Sequence, residues 1–376
     1  MNIGVIGSGT MGIGIAQVAA SNGCNVFLFD ANASQTEKAL QNLEKILTRL
    51  AEKQKISFEE SEQIFNRVKF CTELKDLKDS DLVIEAIIEN KEIKTKVFSE
   101  LEKYVSDTCI ISSNTSSISI TSLSSELRNP NRFIGIHFFN PAPLMPLVEV
   151  IPGLLTDEQL PQKVYDLMKS WNKVPVIAKD IPGFIVNRIA RPYYGEALRI
   201  VEENIATPEQ VDDAMTSLGN FKMGPFELMD LIGIDVNFAV TTTVYKDYFY
   251  DPKYKPSLLQ QRMAEAKLLG RKTNRGFYDY REGASKPIAQ KNEELYQQIF
   301  IRIISMLINE AVEAKRLGIA NYEDIELAMQ KGVNYPKGLL NWGKEIGYTT
   351  ISETLRNLYN EYQEERYRQS PLLNKI

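Results

Sequence analysis

The chain of 376 residues is 43% hydrophobic and 25% charged, with a formal net charge of −5 at pH 7. This composition is typical of a globular protein of two or three domains, and the acidic balance argues against wholesale nucleic-acid binding, which requires a basic face. Three scattered cysteines and no apolar run of membrane length argue against a disulfide scaffold, a zinc site and a membrane span. We therefore expect a cytoplasmic protein without a bound metal.

The first part of the chain alternates strand-like and helix-like segments. Short apolar runs indicate strands at 3–6, 25–29, 82–84, 109–111, 133–136 and 147–151, with helical spacing in most of the intervals. No leader-like segment precedes the first run, so we expect no signal peptide. Alternation of strands and helices predicts a mainly parallel, doubly wound sheet.

Residues 33–66 interrupt this alternation. They are highly charged and place apolar side chains at helical spacing, from Leu40 to Leu50 and again at Ile64 and Phe65. The pattern predicts a protruding helical hairpin. A hairpin that binds a ligand and a solvated amphipathic pair without one both stay open at this point.

After Lys179 a turn signal is followed by an entirely helical pattern. An ungapped offset of 114 residues aligns Arg188 with Arg302, Glu196-Ala197 with Glu310-Ala311, Gly224 with Gly338 and Ile232-Gly233 with Ile346-Gly347. A register held over this whole stretch indicates a duplicated helical unit. We therefore predict domains at 1–180, 181–283 and 284–376, the last a degenerate copy of the second, and a frayed end from Glu364 onward.

A glycine-rich segment, Gly7-Ser8-Gly9-Thr10-Met11-Gly12, lies between the first strand and a helix. In this context Gly7 permits a tight turn, Gly9 lets the backbone approach a pyrophosphate, and Gly12 permits close packing of the helix on the strand. Asp30 ends the second strand, where a carboxylate accepts hydrogen bonds from a ribose 2′-hydroxyl and repels a 2′-phosphate. We predict NAD as the cofactor. The predicted fold class is α/β: a Rossmann-type doubly wound sheet followed by an all-α domain with an internal duplication.

Three polar segments follow or occupy predicted strands, at the edge where doubly wound sheets bind ligands. They are Ser113 to Ser117, His137 to Pro141, and the strand that contains Glu149. His137 is the only histidine, and imidazole is the side chain best suited to accept a hydroxyl proton near neutrality. Glu149 lies in an otherwise apolar strand, so its charge requires a partner, and His137 is a candidate. The alternative is a glutamate that points to solvent from an edge strand.

Several further motifs occur in a distinctive order. They are Asp81-Leu82-Val83-Ile84-Glu85-Ala86, Ser113-Asn114-Thr115-Ser116-Ser117, His137-Phe138-Phe139-Asn140-Pro141, Pro182-Gly183-Phe184-Ile185-Val186-Asn187-Arg188, Met223-Gly224-Pro225-Phe226-Glu227 and Gly270-Arg271-Lys272-Thr273. With the glycine-rich segment, they resemble the 3-hydroxyacyl-CoA dehydrogenase family, in particular its 3-hydroxybutyryl-CoA dehydrogenases. The resemblance is close over 1–280 and looser over the repeat. It implies interconversion of L-3-hydroxyacyl-CoA and 3-ketoacyl-CoA with NAD or NADH.

The resemblance also implies roles for the matching residues. His137 would be the general base and Glu149 would orient it, while Ser116 and Asn187 would hydrogen-bond the reacting oxygen of the substrate or the imidazole. The implied cofactor-binding residues are Gly7, Gly9, Thr10, Met11, Gly12, Asp30, Glu89, Lys94, Asn114 and Asn140. The hairpin would help to hold coenzyme A through Lys53, with a solvated lysine face as the alternative.

Two other functions stay open. A related NAD enzyme that acts on a free 3-hydroxy acid, of the carnitine or gulonate type, is one; a non-catalytic NAD-binding protein of the crystallin type is the other. In the second copy of the helical unit, Ile301 stands at the position of Asn187, so we expect that copy to be structural. The protein would then be a homodimer through the helical domain, or a monomer in which the second copy replaces the partner.

Overall fold

Residues 1–376 are described by a computed structural model, in which the first part of the chain builds one eight-stranded sheet. The strands are β1 (Asn2–Ile6), β2 (Asn25–Phe29), β3 (Val68–Cys71), β4 (Leu82–Glu85), β5 (Ile110–Ser113), β6 (Phe133–Phe138), β7 (Leu147–Pro152) and β8 (Val174–Ile177). Their spatial order is β3-β2-β1-β4-β5-β6-β7-β8, and every neighbouring pair is parallel except β6 and β7. The predicted mainly parallel sheet is therefore confirmed.

Six helices belong to this part of the chain. They are α1 (Thr10–Ser21), α2 (Ala33–Glu52), α3 (Phe58–Asn66), α4 (Lys91–Leu101), α5 (Ile120–Ser124) and α6 (Leu160–Ser170). Of these, α2 packs mainly on α3 and on α1. In α2 the buried side chains recur every three or four residues, which is one face of a helix. Leu43 and Leu47 on that face share a core with Ile64 of α3 and with residues of β1 and β2, and most other side chains of α2 are exposed.

The sequence patterns do not predict β3 and β8, which form the two edges of the sheet. The exposed Lys69 interrupts the apolar run of β3, and both end residues of β8 are only half-buried. Pro175 weakens the strand signal of β8 further, although an edge strand tolerates proline because one side of it has no hydrogen-bonding neighbour.

The chain divides into two compact units, Met1–Ile181 and Pro182–Ile376. The helices of the second unit are α7 (Val186–Ile189), α8 (Arg191–Glu202), α9 (Pro208–Gly219), α10 (Pro225–Ile232), α11 (Ile234–Asp247), α12 (Leu258–Glu265), α13 (Glu293–Arg316), α14 (Tyr322–Gly332), α15 (Leu339–Ile346) and α16 (Tyr348–Tyr362). No helix of the chain has both the length and the apolar character that crossing a bilayer requires.

Helices α8 to α11 recur as α13 to α16 at the offset of 114 residues. The turns between them recur as well, since Asn220 and Asn334 both have a φ of 55°. Asp212 accepts hydrogen bonds from two N–H groups in the first turn of α10, and Glu326 does the same at α15. The internal duplication is therefore present in the fold and extends to its capping interactions.

The two copies contact each other reciprocally. Arg188 donates to Glu310 of the second copy at 2.5 Å, and Arg302 donates to Glu196 of the first copy at 2.6 Å. All four side chains are buried, and the two arginines and the two glutamates are equivalent at the repeat offset. Reciprocal contacts between equivalent residues are those of a two-fold interface, so the copies pair within one chain as two subunits of a dimer do.

The C-terminal segment from Glu364 onward is not frayed, and that prediction is wrong. Tyr367 is fully buried, and its hydroxyl donates to Glu196 at 2.7 Å. Arg366 is buried beside Glu196 and Glu203. The charges that suggested a solvated end serve instead as partners in a buried network, which their spacing along the sequence does not reveal.

Candidate active site

The glycine-rich loop runs from the end of β1 to the start of α1. Gly7 has a φ of +104°, and a Cβ there would lie 2.6 Å from the carbonyl oxygen of Ala86. A Cβ on Gly12 would lie 1.8 Å from the carbonyl oxygen of Gly7. At Gly9, by contrast, a Cβ would meet nothing within 4 Å, and no side chain caps the helix that follows. The loop thus leaves open space in front of the first N–H groups of α1, as a pyrophosphate requires.

Asp30 lies directly after β2, beside this loop. Its Oδ2 accepts hydrogen bonds from the backbone N–H of Ser8 at 2.7 Å and from the Ser8 hydroxyl at 2.9 Å. The carboxylate is half-buried, so part of it stays accessible next to the loop. Thr10, which is exposed, and Met11, which is half-buried, form the first turn of α1. Ser8 therefore links the loop to the carboxylate of Asp30, and no role had been predicted for Ser8.

The register of the antiparallel pair β6 and β7 places His137 directly opposite Glu149. Nδ1 of His137 lies 2.7 Å from Oε2 of Glu149, and the two side chains are 8% and 0% exposed. A solvent-facing Glu149 is therefore excluded. An ionised carboxylate at Nδ1 fixes the imidazole tautomer that carries its proton there, which makes Nε2 the proton-accepting nitrogen.

A buried polar network lies at the ends of β4 and β5. Glu85 is fully buried, and one of its oxygens accepts from Nζ of Lys94 at 2.6 Å while the other accepts from the Ser113 hydroxyl at 2.6 Å. Lys94 is 1% exposed, so its ammonium lies within the network. Glu85 lies within one of the motifs named above, but no role was predicted for it. The available signal was a glutamate in an apolar strand, the same signal that singled out Glu149.

Glu89 collects donors from the loop after β5. Its Oε1 accepts from the hydroxyls of Thr115 at 2.6 Å, Ser117 at 3.0 Å and Ser116 at 3.3 Å, and from the N–H of Ser116 at 3.0 Å. Its Oε2 lies 3.3 Å from Nζ of Lys94. Burial opposes ionisation, but the Lys94 ammonium and these hydrogen bonds hold the pKa of Glu89 below its usual range. The structure thus brings three predicted site residues together: Glu89, Lys94 and Ser116.

Asn114 and Asn140 follow the ends of two neighbouring strands, β5 and the His137 strand β6. Asn114 follows β5, and its Oδ1 accepts from the N–H of Phe138 at 2.8 Å. Asn140 is exposed and begins the loop that joins β6 to β7. Since β5 and β6 are parallel, both asparagines follow strand ends at the same edge of the sheet.

A buried lysine that the sequence analysis missed holds the loop from β6 to β7. Nζ of Lys173 donates to the carbonyl oxygens of Ala142 at 2.5 Å and Met145 at 3.0 Å. No carboxylate pairs with it, and burial lowers the pKa of Lys173 to about 8. The same loop packs against α1, since a Cβ on Gly14 would lie 3.2 Å from Pro143. Lys173 therefore fixes a loop that joins the His137 strand to the Glu149 strand and touches the glycine-rich helix.

Two predicted site residues remain, Lys53 and Asn187. Lys53 is exposed and follows the last residue of α2. Asn187 belongs to the second unit, where it is half-buried in α7, and its carbonyl oxygen accepts from Nε of Arg191 at 2.7 Å. The roles assigned to Lys53 and Asn187 stay predictions.

Family models match nearly the whole chain. The model described as the NAD binding domain of 3-hydroxyacyl-CoA dehydrogenase matches residues 2–181, and the model of the C-terminal domain matches residues 183–280 and 299–376. The C-terminal match thus includes both copies of the helical unit.

Named relatives agree with these matches. A 3-hydroxyadipyl-CoA dehydrogenase of Escherichia coli is 36% identical over 99% of this chain and 96% of its own length. A 3-hydroxybutyryl-CoA dehydrogenase of Clostridioides difficile is 45% identical over 74% of this chain and 99% of its own. The crystal structure of a 3-hydroxybutyryl-CoA dehydrogenase from Escherichia coli matches with a TM-score of 0.93 at 36% identity, covering 100% of this chain and 98% of that one.

Proposed function

Because the chain belongs to the 3-hydroxyacyl-CoA dehydrogenase family, we propose that it oxidises L-3-hydroxyacyl-CoA thioesters to 3-ketoacyl-CoA with NAD, and runs the reverse reaction with NADH. The observation that carries the mechanism is the buried contact of 2.7 Å between His137 and Glu149. Oxidation of an alcohol needs a base for the hydroxyl proton and an acceptor for the hydride, and this pair supplies the base.

The residues of the first unit fit NAD. The open space at Gly9 and the first N–H groups of α1 would hold the pyrophosphate, and Asp30 would accept hydrogen bonds from a ribose while repelling a 2′-phosphate. Asn114 and Asn140, at the edge of the sheet, would line the nicotinamide end. When bound, NAD supplies the acceptor for the hydride that leaves C3 of the substrate.

His137 would take the proton of the 3-hydroxyl on Nε2. Glu149 then stabilises the imidazolium at 2.7 Å, in a place where the two side chains are almost fully shielded from water. Low exposure strengthens this attraction, because little water is present to screen it. In the reverse reaction the same imidazolium returns the proton to the alkoxide that develops at C3.

Ser116 and Asn187 would hydrogen-bond the reacting oxygen. The Ser116 hydroxyl lies 3.3 Å from Glu89, a long hydrogen bond, so turning it toward a substrate oxygen costs little. Glu89 would bind on the cofactor side. Lys94 would act by keeping Glu89 ionised and in place, since its ammonium is buried and already bound to Glu85 and Glu89.

The coenzyme A portion of the substrate carries phosphate groups, and Lys53 would contact one of them. Lys53 is exposed at the end of α2, so its ammonium is accessible to an anion. Exposed lysines bind phosphate as point charges. The experiment is Lys53→Ala: we expect a higher KM for the acyl-CoA with kcat unchanged, and an unchanged KM would remove Lys53 from the site.

The first test of the function is the consumption of NADH with acetoacetyl-CoA, run beside NADPH. Rapid loss of NADH and slow loss of NADPH would agree with both the reaction and the cofactor. No turnover with this or a longer ketoacyl-CoA would move the assignment to the dehydrogenases of free 3-hydroxy acids, which free coenzyme A does not inhibit. Binding of NADH without turnover of either class of substrate would favour the crystallin-type alternative.

The same assay can determine which acyl tails the protein accepts. One relative is named for 3-hydroxybutyryl-CoA and another for 3-hydroxyadipyl-CoA, whose tail ends in a carboxylate. The relative named for the adipyl compound matches 99% of this chain, so we propose that the tail carboxylate is accepted. A kcat/KM for 3-oxoadipyl-CoA far below that for acetoacetyl-CoA would contradict this.

We further propose that the protein is a monomer in which the second helical copy replaces a partner subunit. The reciprocal ion pairs between the copies support this, because they already satisfy the surface that a dimer would use. Light scattering on the eluting protein is expected to give the single-chain mass of 42.7 kDa. A mass twice as large would contradict the proposal.

We propose the cytoplasm as the location. Support comes from Cys24, Cys71 and Cys109, which are all free and buried.

A further inference from the structure

The two copies of the helical unit allow an internal comparison of the surroundings of Asn187. At the repeat offset, Ile301 replaces Asn187 and Ser305 replaces Arg191. The ion pairs between the copies, by contrast, use the same residue types on both sides. Those ion pairs therefore belong to the interface of the copies. Arg191 occurs only in the copy that also has the asparagine.

Arg191 is bound to the backbone at Asn187. Its Nε donates to the carbonyl oxygen of Asn187 at 2.7 Å, and its Nη1 donates to Oγ1 of Thr241 at 3.1 Å. The guanidinium carbon lies 5.0 Å from the ring centre of Tyr194, within the range of a cation–π contact. The guanidinium thus joins the start of α8 to α7 and to α11, and its planar shape fixes the directions of these hydrogen bonds.

The helical fold itself does not require this arginine. Arg191 is 6% exposed, no carboxylate pairs with it, and burial lowers its pKa. A buried guanidinium without a counter-ion costs stability. In the second copy Ser305 stands at this position within the continuous helix α13, where its hydroxyl is buried without a hydrogen-bond partner but no charge has to be neutralised. The arginine therefore serves something that the second copy lacks.

We propose that Arg191 is a positioning residue for Asn187, which fixes the backbone from which the Asn187 amide reaches the substrate oxygen. This inference rests on the proposed role of Asn187. The amide itself forms no hydrogen bond within the chain, so its direction depends on the backbone that carries it. A displacement of about 1 Å at a group that contacts the reacting atoms is enough to slow turnover by one to two orders of magnitude.

The test compares Arg191→Met, Arg191→Lys, Asn187→Ala and the double variant Arg191→Met/Asn187→Ala in the full chain, with acetoacetyl-CoA and NADH. We expect Arg191→Met to lower kcat roughly 10-fold or more with a smaller change in KM, and Arg191→Lys to recover part of the loss. The double variant is expected to be no slower than Asn187→Ala, because Arg191 acts through Asn187. Glu196→Gln is the control. It breaks the ion pair between Arg302 and Glu196 that joins the two copies, so it should lower Tm and leave kcat unchanged.

Wild-type kcat in Arg191→Met would overturn the proposal. So would a double variant slowed by the product of the two single effects, since independent effects multiply. If Asn187→Ala keeps wild-type kcat, the role of Asn187 fails and that of Arg191 fails with it. Turnover of acetoacetyl-CoA by the unmodified chain tests the proposed function separately, so the two failures are distinguishable.

Discussion

The carboxylate of Glu149 matters to His137 through its charge as well as through its hydrogen bond. Glu149→Gln keeps the size of the side chain and an oxygen that accepts from Nδ1, but it removes the charge that stabilises the imidazolium. We expect kcat to fall by about 10²–10⁴-fold, the usual range for general acid–base catalysis, with the KM for NADH little changed. Steady-state kinetics with acetoacetyl-CoA measure this.

His137→Ala is the companion variant and should lose at least as much turnover as Glu149→Gln, with NADH binding intact. Wild-type turnover in either variant would remove the residue concerned from the mechanism. Loss of NADH binding in His137→Ala would mean instead that this side chain supports the cofactor site.

Asp30 is expected to set the preference for NADH over NADPH. Asp30→Ala removes the negative charge that repels a 2′-phosphate, so the ratio of kcat/KM for NADH to that for NADPH should fall by about 10-fold or more. Because Asp30 also accepts two hydrogen bonds from Ser8, Ser8→Ala is a matched control that removes one of them and keeps the carboxylate. An unchanged ratio in Asp30→Ala, or an equal fall in Ser8→Ala, would contradict the role of the charge.

At the scale of single residues, the sequence predicted those site residues whose chemistry is unusual for their surroundings. His137 is the only histidine, and Glu149 is a charge in an apolar strand. Glu85 carried the same signal and received no role, because only its contacts with Lys94 and Ser113 reveal one. Lys173 carried no signal, since its partners are backbone carbonyl oxygens and backbone oxygens have no side-chain signature in a sequence.

At the scale of elements, the loop between β6 and β7 depends on a buried ammonium. Burial holds the pKa of Lys173 at about 8 in the folded protein, below its usual 10.5. Between these values the unfolded chain binds more protons than the folded chain, so stability rises with pH through this window. The rise amounts to about 3 kcal/mol, because one pKa unit corresponds to about 1.4 kcal/mol.

The variant Lys173→Met has no titratable group at this position, so its stability lacks this dependence on pH. The free energy of unfolding of the wild type, measured with urea from pH 7.5 to 10.5, should therefore rise relative to that of Lys173→Met. Exposed lysines titrate alike in both proteins and cancel in the difference. A difference that stays constant over the window would mean that the pKa of Lys173 is the same in the folded and the unfolded chain, so that burial does not lower it.

The central strands were predictable and the edge strands were not. An apolar run in the sequence indicates a buried strand. Such runs mark the six strands that were predicted: β1, β2, β4, β5, β6 and β7. The edges β3 and β8 are held by hydrogen bonds to one neighbour, and such backbone pairing leaves little trace in side-chain type. The antiparallel direction of β7 follows from its short connection to β6, and it puts Glu149 opposite His137.

At the scale of the whole molecule, the offset of 114 residues predicted the duplication but not how the copies meet. The alignment pairs Arg188 with Arg302 and Glu196 with Glu310, whereas the structure joins each arginine to the glutamate of the other copy. Equivalence within the sequence gives no information on contact across an interface. The C-terminal segment near Tyr367 was mispredicted for the same reason, because its partner Glu196 lies in the other copy.

The pairing of the copies predicts a specific acid sensitivity at Glu310. Burial opposes its ionisation, but Lys253 and Arg188 hold the pKa of Glu310 at about 2. Since this is below the value of about 4.5 expected in the unfolded chain, the ionised carboxylate stabilises the fold above pH 4.5. That contribution, about 3 kcal/mol, is lost as the pH falls from 4.5 toward 2.

Glu310→Gln should therefore be less stable than the wild type at pH 7, by about 3–5 kcal/mol because a buried arginine loses its counter-ion. The gap between the two proteins should narrow as the pH falls below 4.5, since the wild type then loses the same charge by protonation. Urea unfolding at pH 7, 5, 4 and 3 measures both effects, with the exposed Glu345→Gln as a control that should show neither. A gap that does not depend on pH would mean that the pKa of Glu310 is the same in the folded and the unfolded chain, and the ion pairs would then not account for the pairing of the two copies.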